Sequence, residues 1–460
     1  MSNYVVGSPS SLGTLTATGI RRMAWESKLR RDSVRPSLWT VLKSAIKVVD
    51  KVMSVQKSGV FMEVSEPPES AQSTRLAMVK PLQRAPQMGT GEDVLGNEDE
   101  SDLVWTELFY NEIKKGVKYK QWGYDYNDTK YLKVIETYAD QMTNFIAENF
   151  DCRCHQALTV TFANELTYTP VSQVRQFNKN WCIPNQAEAT YTPTALFENT
   201  AMTDTANTAD SHYYYPNRTF SGVGSMVENL AAALMSASGT GATSKALFTY
   251  DFLAQLETYL SDTILMEPVM LDGIPTYVII VASNVWAWTM NPDNSGSIGS
   301  YIKAVKTYKD DARITIPGEL GRAFESLLFV RNRRAPTLQV SGGSGTYSIK
   351  VNYCNPGNND ARNKSAWAAT SGATNFAFDL CYAVGANALA EYVVDPVRSN
   401  MTEHTEYGKI EGRAAYMGSG IQIPCWDKDS ASRLDGTSIT MIQRSSVVIP
   451  VSRAAVETVV

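Results

Sequence analysis

The chain has 460 residues, 42 of them Lys or Arg and 47 Asp or Glu, for a formal net charge of −5. That length holds about two or three structural units with cores of their own, and the acidic balance excludes a polyanion binder that works by bulk positive charge. Charged residues make up 19% of the chain, below the roughly 25% of ordinary soluble domains, as expected of a surface that other molecules cover.

The six cysteines, at positions 152, 154, 182, 354, 381 and 425, follow no spacing of a disulfide-stapled scaffold and are expected to be reduced. The amino terminus lacks the basic-then-apolar order of a secretory signal. No apolar run approaches the roughly 18 residues of a membrane span, so the sequence predicts a soluble chain made in a cytoplasm. Residues 1–20 are uncharged and rich in Ser, Thr and Gly, as in an extended arm. A short amphipathic helix is predicted over 21–32. Met23, Trp25 and Leu29 share its apolar face, and Arg21, Arg22, Lys28, Arg30 and Arg31 make the rest basic, either as a solvated face or for contact with an acidic neighbour or nucleic acid. An apolar-periodic stretch over 38–53 leads to a Lys57-Ser58-Gly59 break and a strand at 60–64.

Prolines 67, 68, 81 and 86 precede a cluster of acids with no base among them: Glu92, Asp93, Glu98, Asp99, Glu100 and Asp102. The spacing is not that of an EF-hand, which makes the cluster an acidic exposed loop. Over 105–122, aromatic and β-branched residues flank Lys114-Lys115-Gly116, predicting a hairpin that turns there, with Lys118 and Lys120 on one face of its second arm. Two-stranded ribbons are marginal in water unless they lie on something. From Asp128, apolar residues recur at Leu132, Ile135, Ala139, Met142, Ile146 and Phe150, predicting one helix over 128–158. At about 1.5 Å per residue it is a rod of roughly 46 Å, a spine on which sheets are laid.

The Thr-rich stretch 159–220 favours loops and edge strands. Helices are predicted at 225–237 and 250–261, a hairpin over 267–282 turning at Asp272-Gly273, a strand at 326–331 and a further helix at 377–393. The order describes an α+β protein. No internal repeat is visible, which excludes solenoids and propellers.

Motifs for chemistry fail individually. Cys152, Cys154 and His155, at i, i+2 and i+3 of the long helix, do not converge on one ion. His404 lacks the second histidine of a zincin, and His212 stands before three tyrosines. Residues 239–246 approach a phosphate-binding loop, but Ser244 and Ala246 occupy the places of its second glycine and its magnesium-binding hydroxyl. No catalytic, metal-binding or cofactor-binding residue is therefore expected.

The order of basic helix, Pro-rich arm, acidic hairpin, long helix, α+β unit and closing strands resembles the major capsid proteins of tailed bacteriophages with the HK97-like fold, and among them the N4-type or related crAss-like families. Residues carrying the likeness are Trp25-Glu-Ser-Lys-Leu-Arg-Arg-Asp32, Gly89-Thr-Gly-Glu-Asp-Val-Leu-Gly96, Glu267-Pro-Val-Met-Leu-Asp-Gly-Ile-Pro-Thr-Tyr277, Val384-Gly-Ala-Asn-Ala-Leu389, Glu403-His-Thr-Glu-Tyr-Gly-Lys409 and Tyr416-Met-Gly-Ser-Gly420. Glu406 takes the place of the family's usual Asp. The resemblance implies an N-terminal arm (1–85), an extended loop (86–125), a peripheral domain (126–225, with the spine helix and a Thr-rich insertion, and 396–460) and an axial domain (226–395). It also implies homo-hexamers and pentamers in a virion capsid assembled in a bacterial cytoplasm, enclosing double-stranded DNA held non-specifically. Portal, scaffolding and auxiliary proteins would be partners; no cofactor, membrane or enzymatic activity is implied. Inter-subunit contacts are then expected of Glu92, Asp93, Glu98, Asp99, Glu100, Asp102, Lys114, Lys115, Lys118 and Lys120. Arg21, Arg22, Arg30, Arg31, Arg331, Arg333 and Arg334 are expected to face the lumen or a partner. A surface fibre or adhesin is the alternative reading, on the Thr, Ser, Asn and Gly content.

Overall fold

The computed structural model describes residues 38, 39, 42, 50–52, 55–64, 73–79, 103–109, 111–120, 128–163, 174–177, 181–184, 190–192, 217–222, 230, 234, 247–264, 266–271, 274–291, 293, 296–300, 320–322, 326–343, 346–352, 375–404, 410–423, 426–427, 441–442 and 445–452. In chain order the strands begin with β1 (Asp50–Val52), β2 (Val55–Ser58), β3 (Phe61–Val64), β4 (Ser73–Val79), β5 (Leu103–Phe109) and β6 (Asn111–Lys120). The long helix α1 (Asp128–Thr159) follows, and the predicted face goes inward: Met142, Ile146 and Phe150 are buried. Five short strands occupy the Thr-rich region: β7 (Val160–Ala163), β8 (Val174–Phe177), β9 (Trp181–Ile183), β10 (Thr190–Thr192) and β11 (Asn217–Gly222). Leu230 and Leu234 are helical and buried, in line with the helix predicted around them. Helix α2 (Tyr250–Thr258), capped by the Thr249 hydroxyl accepting from the Phe252 N–H, runs into a π turn, Tyr259–Thr263.

Then come β12 (Val269–Leu271) and β13 (Ile274–Ala282), the predicted hairpin, with Leu271 opposite Ile274, and α3 (Ser283–Met290). The remaining strands are β14 (Leu320–Arg322), β15 (Leu327–Asn332), β16 (Thr337–Gly343), β17 (Thr346–Asn352), β18 (Asn375–Val384), β19 (Leu389–His404), β20 (Ile410–Gln422), β21 (Trp426–Asp427), β22 (Met441–Ile442) and β23 (Ser446–Ser452). Among the described residues no helix is long and apolar enough to cross a membrane.

Eleven strands form the central sheet. Its spine runs β10-β9-β23-β18-β13-β15-β14, with β11, β12, β16 and β17 attached. Side chains alternate between its faces: Val278 and Ile280 of β13 enter one core, while Tyr277, Ile279 and Val281 enter the other. The first core is closed by the carboxyl-terminal part of α1 with Trp39 and Phe61. The second is closed by α2 and α3 through Phe252, Leu253, Leu256, Val285 and Trp288. A sheet covered on both sides favours apolar residues at successive positions, which is why residues 277–282 of β13 and 447–451 of β23 read as unbroken apolar runs. The one long parallel pairing, β13 with β15, uses α3 in its crossover.

Two sequence expectations are overturned. The helix predicted over 377–393 does not form; β18 and the start of β19 stand there, joined by a turn at residues 385–388. Alanines gave the stretch its helical look, yet Phe378, Leu380, Tyr382 and Val384 feed one core while Cys381 and Ala383 feed the other, a period of two. The turn needs Asn387 at φ 56 and a glycine at 385, where a Cβ would come within 2.4 Å of the Glu267 carbonyl oxygen. Nor do the two strands within 105–122 pair with each other. β5 pairs with β4 along seven residues, β6 pairs with β20 along ten, and Lys114-Lys115-Gly116 lies inside β6. Local pattern marks strands but not their partners, and a glycine opposite Ala414 is tolerated in a ladder.

Gly385→Ala is expected to destabilise the chain by about 1–3 kcal/mol, the usual cost of overpacking. A chemical-denaturation midpoint unchanged from the parent chain would show that the 385–388 turn relaxes freely.

Candidate functional site

Strand length sets the outer features of the molecule. β19 has 16 residues, about 53 Å at 3.3 Å each, and pairs with the 13-residue β20. Its first four residues, Leu389–Tyr392, also pair with β3 and are buried. Between Val393 and Arg398 the register shifts twice, around Asp395 and Pro396, because proline has no N–H to give the ladder. Past that bulge β19 pairs with β20 alone, and β6 lines the far edge of β20. Among the described residues the outer edge of β6 meets no further strand, and the β4–β5 ribbon belongs to no larger sheet. Such edges require cover from elsewhere.

The predicted contact residues fall around these ribbons. Positions 114, 118 and 120 share one face of β6 and position 115 the other. Lys114 and Lys115 are exposed, and the Lys115 ammonium sits 4.8 Å from the centroid of the Phe145 ring on α1, a cation–π contact within the chain. Glu92, Asp93, Glu98, Asp99, Glu100 and Asp102 lie outside the described residues, within the 80–102 connection of the β4–β5 ribbon. Arg21, Arg22, Arg30 and Arg31 also lie outside them. Arg331 and Arg333 are exposed. Arg334 is engaged with α1: its guanidinium is 2.7 Å from Glu148 and 3.6 Å from Asp151.

Sequence reasoning missed the junction beneath these surfaces. Glu148, Asp151, His155 and Thr159 form a polar stripe on α1 at spacings of 3, 4 and 4, and the last three are buried. Asp151 accepts the Trp39 backbone N–H at 3.4 Å. His155 Nε2 meets the Trp39 indole N–H at 3.2 Å and the Asn332 amide at 2.8 Å. The Thr159 hydroxyl is 3.0 Å from that of Tyr382 and donates to the His155 carbonyl. On the neighbouring side of the helix, buried Arg153 donates from Nη1 to the Ser419 hydroxyl at 2.9 Å and from Nη2 to the Ser419 carbonyl, fastening β20. Polar residues at helical spacing beside an apolar stripe were the available signal.

The polar groups of this junction hold neighbouring elements together. Cys152, Cys154, Cys182 and Cys381 are buried free thiols, and burial pushes the Cys182 thiol far above the ordinary cysteine range, holding it protonated and non-nucleophilic. The Tyr277 hydroxyl donates to the Met266 carbonyl; burial first, then the charges of Glu257 and Asp262, push its ionisation upward. Among the described residues no group of three or more His, Cys, Asp or Glu side chains could hold a metal ion.

Arg153→Met should weaken the hold of α1 on β20 by about 1.5–3 kcal/mol, the worth of hydrogen bonds to a charged group. Equilibrium unfolding that matches the parent chain would remove Arg153 from the anchor. In a thiol-titration experiment at mildly alkaline pH, Cys182 is expected to react only after denaturation; prompt labelling of Cys182, located by peptide mapping, would contradict its burial.

No protein-family model and no curated protein matches the chain. Among solved structures it is similar to a chain of the cyanophage Pam1 capsid asymmetric unit, at 10% identity and TM-score 0.47, covering 84% of this chain and 86% of that one. It is also similar to the capsid of Ralstonia phage GP4, at 13% identity and TM-score 0.47, with 88% and 94% covered. The acid-stable capsid of Helicobacter pylori bacteriophage KHP30 matches at 11% identity and TM-score 0.45, with 85% and 90% covered.

Proposed function

We propose that this chain is a major capsid protein of a tailed bacteriophage, an HK97-like subunit whose hexamers and pentamers close an icosahedral shell around double-stranded DNA. One observation carries the reading: long strands and a two-stranded ribbon leave a core that is already complete. The central sheet is covered on both faces, and the β4–β5 ribbon and the part of β19 and β20 past the bulge pair outside that sheet. Extended elements of this kind gain stability by lying on neighbouring copies, as in obligate interfaces of roughly 2,000–5,000 Å². Repetition of one such contact closes rings, and rings close shells.

In this reading α1 is the spine of a peripheral domain (126–225 and 396–460), and the arm (1–85) and axial domain (226–395) flank it. The extended loop (86–125) includes β5, whose ribbon partner β4 precedes it in the chain. Glu92, Asp93, Glu98, Asp99, Glu100 and Asp102, in the 80–102 connection, would select basic patches on a neighbour, and Lys114, Lys118 and Lys120 acidic ones, fixing register more than affinity. The role is structural, without catalysis or cofactor. Arg331 and Arg333 remain candidates for the lumen, and portal, scaffolding and auxiliary proteins for partners. A net charge of −5 suits a wall that contains DNA without gripping it.

The purified chain is expected to form hexamers, pentamers or shells by negative-stain microscopy and light scattering; a strictly monomeric protein at micromolar concentration overturns the proposal. Assembly is also expected to be salt-sensitive, with Glu98→Lys, Asp99→Lys and Glu100→Lys together lowering particle yield several-fold at low salt. An unchanged yield would remove the acidic cluster from the mechanism.

A further inference from the structure

His155 stands where three parts of the chain meet: α1, the amino-terminal segment at Trp39, and the end of β15 at Asn332. The protonation of its ring follows from its neighbours. An indole nitrogen can only donate, so Trp39 requires an unprotonated Nε2. The Asn332 amide is oriented independently, because its Oδ1 accepts the Arg334 backbone N–H at 2.9 Å, which leaves Nδ2 to donate to the same Nε2 at 2.8 Å. Two donors on one acceptor fix the neutral ring with its proton on Nδ1.

We propose that His155 is a pH-sensitive latch: neutral, it holds the Trp39 segment onto α1 and β15; doubly protonated, it releases that segment. A proton on Nε2 would face two donors with no lone pair to offer, so both hydrogen bonds are lost together. Trp39 also packs edge-on to the His155 ring at 5.7 Å and to Phe61 at 5.9 Å, so the whole indole seat depends on the ring beside it.

On α1, Asp151 and Glu148 lie one and two turns back, Cys152 and Cys154 are buried thiols, and Arg153 is turned to Ser419. After β15, Arg334 engages both carboxylates, while Arg331 and Arg333 are exposed. On β18, the Tyr382 ring stacks on His155 at 5.7 Å with its hydroxyl against Thr159; Asp379 bonds Thr337 and Asn284 at the opposite face. From the amino-terminal side Trp39 and, behind it, Phe61 of β3 bring no charge. Arg334 pairs with both carboxylates, and the closed geometry excludes a second proton from the ring.

The sign follows from linkage. The open state can bind a proton at Nε2 that the closed state refuses, so closure is weakened as pH falls. The test is hydrogen exchange by mass spectrometry on the full chain, comparing peptides that span residues 38–42 at about pH 7.5 and about pH 5 after correction for intrinsic rates. Protection in the parent chain is expected to fall about tenfold or more. His155→Gln, whose amide oxygen accepts but does not titrate in this range, is expected to abolish the fall. Constant protection in the parent chain, or an equal fall in the Gln variant, overturns the proposal. If that variant does not fold, Trp39→Phe keeps a ring in place without its donor and is expected to show a smaller fall than the parent chain; an equal one again overturns it.

Discussion

A buried polar stripe on one helix holds the described parts of this molecule together. Apolar packing alone would let α1 slide along the sheet, since Met142, Ile146 and Phe150 offer contact area without direction. Glu148, Asp151, Arg153, His155 and Thr159 supply the direction. Between them they bond the Arg334 turn, the Trp39 segment, β20, β15 and β18. Burying such groups costs free energy unless they are paired, so their mutual satisfaction fixes one arrangement of helix, sheet and ribbon.

The hydrophobic pattern disclosed a good part of this design and concealed the rest for identifiable reasons. The helix from Asp128 was legible because its apolar positions repeat at 3 and 4 for about five turns, and the 267–282 hairpin because Asp272-Gly273 sits between two apolar runs. Residues 377–393 misled because a strand covered on both faces loses the polar half of its alternation, leaving alanines to suggest a helix. The pairing of β5 and β6 was hidden because their partners lie at 73–79 and 410–422, and no local signal names a distant strand. The same distance hid the anchor: Trp39 and His155 are 116 positions apart and Arg153 and Ser419 266. Of the surface residues singled out for their charge, Lys115 and Arg334 turn out to meet partners inside their own chain.

The shortage of charge has a similar division of labour behind it. Much of the available charge in the described core is spent internally, on α1 and its neighbours, where it orders elements. Other charges recur along the sequence of the ribbons, at Lys114, Lys118 and Lys120 and in the 80–102 connection.

The bulge at Asp395–Arg398 gives the long ribbon two mechanical regimes. Before it, β19 is clamped between β3 and β20 and shares the stiffness of the core; after it, the strand is part of a thin sheet whose backbone has already departed from straight pairing. A beam built this way bends at a chosen place. In the proposed shell, subunits tiling surfaces of unequal curvature would take up the difference there, leaving the double-faced core identical at every position of the lattice.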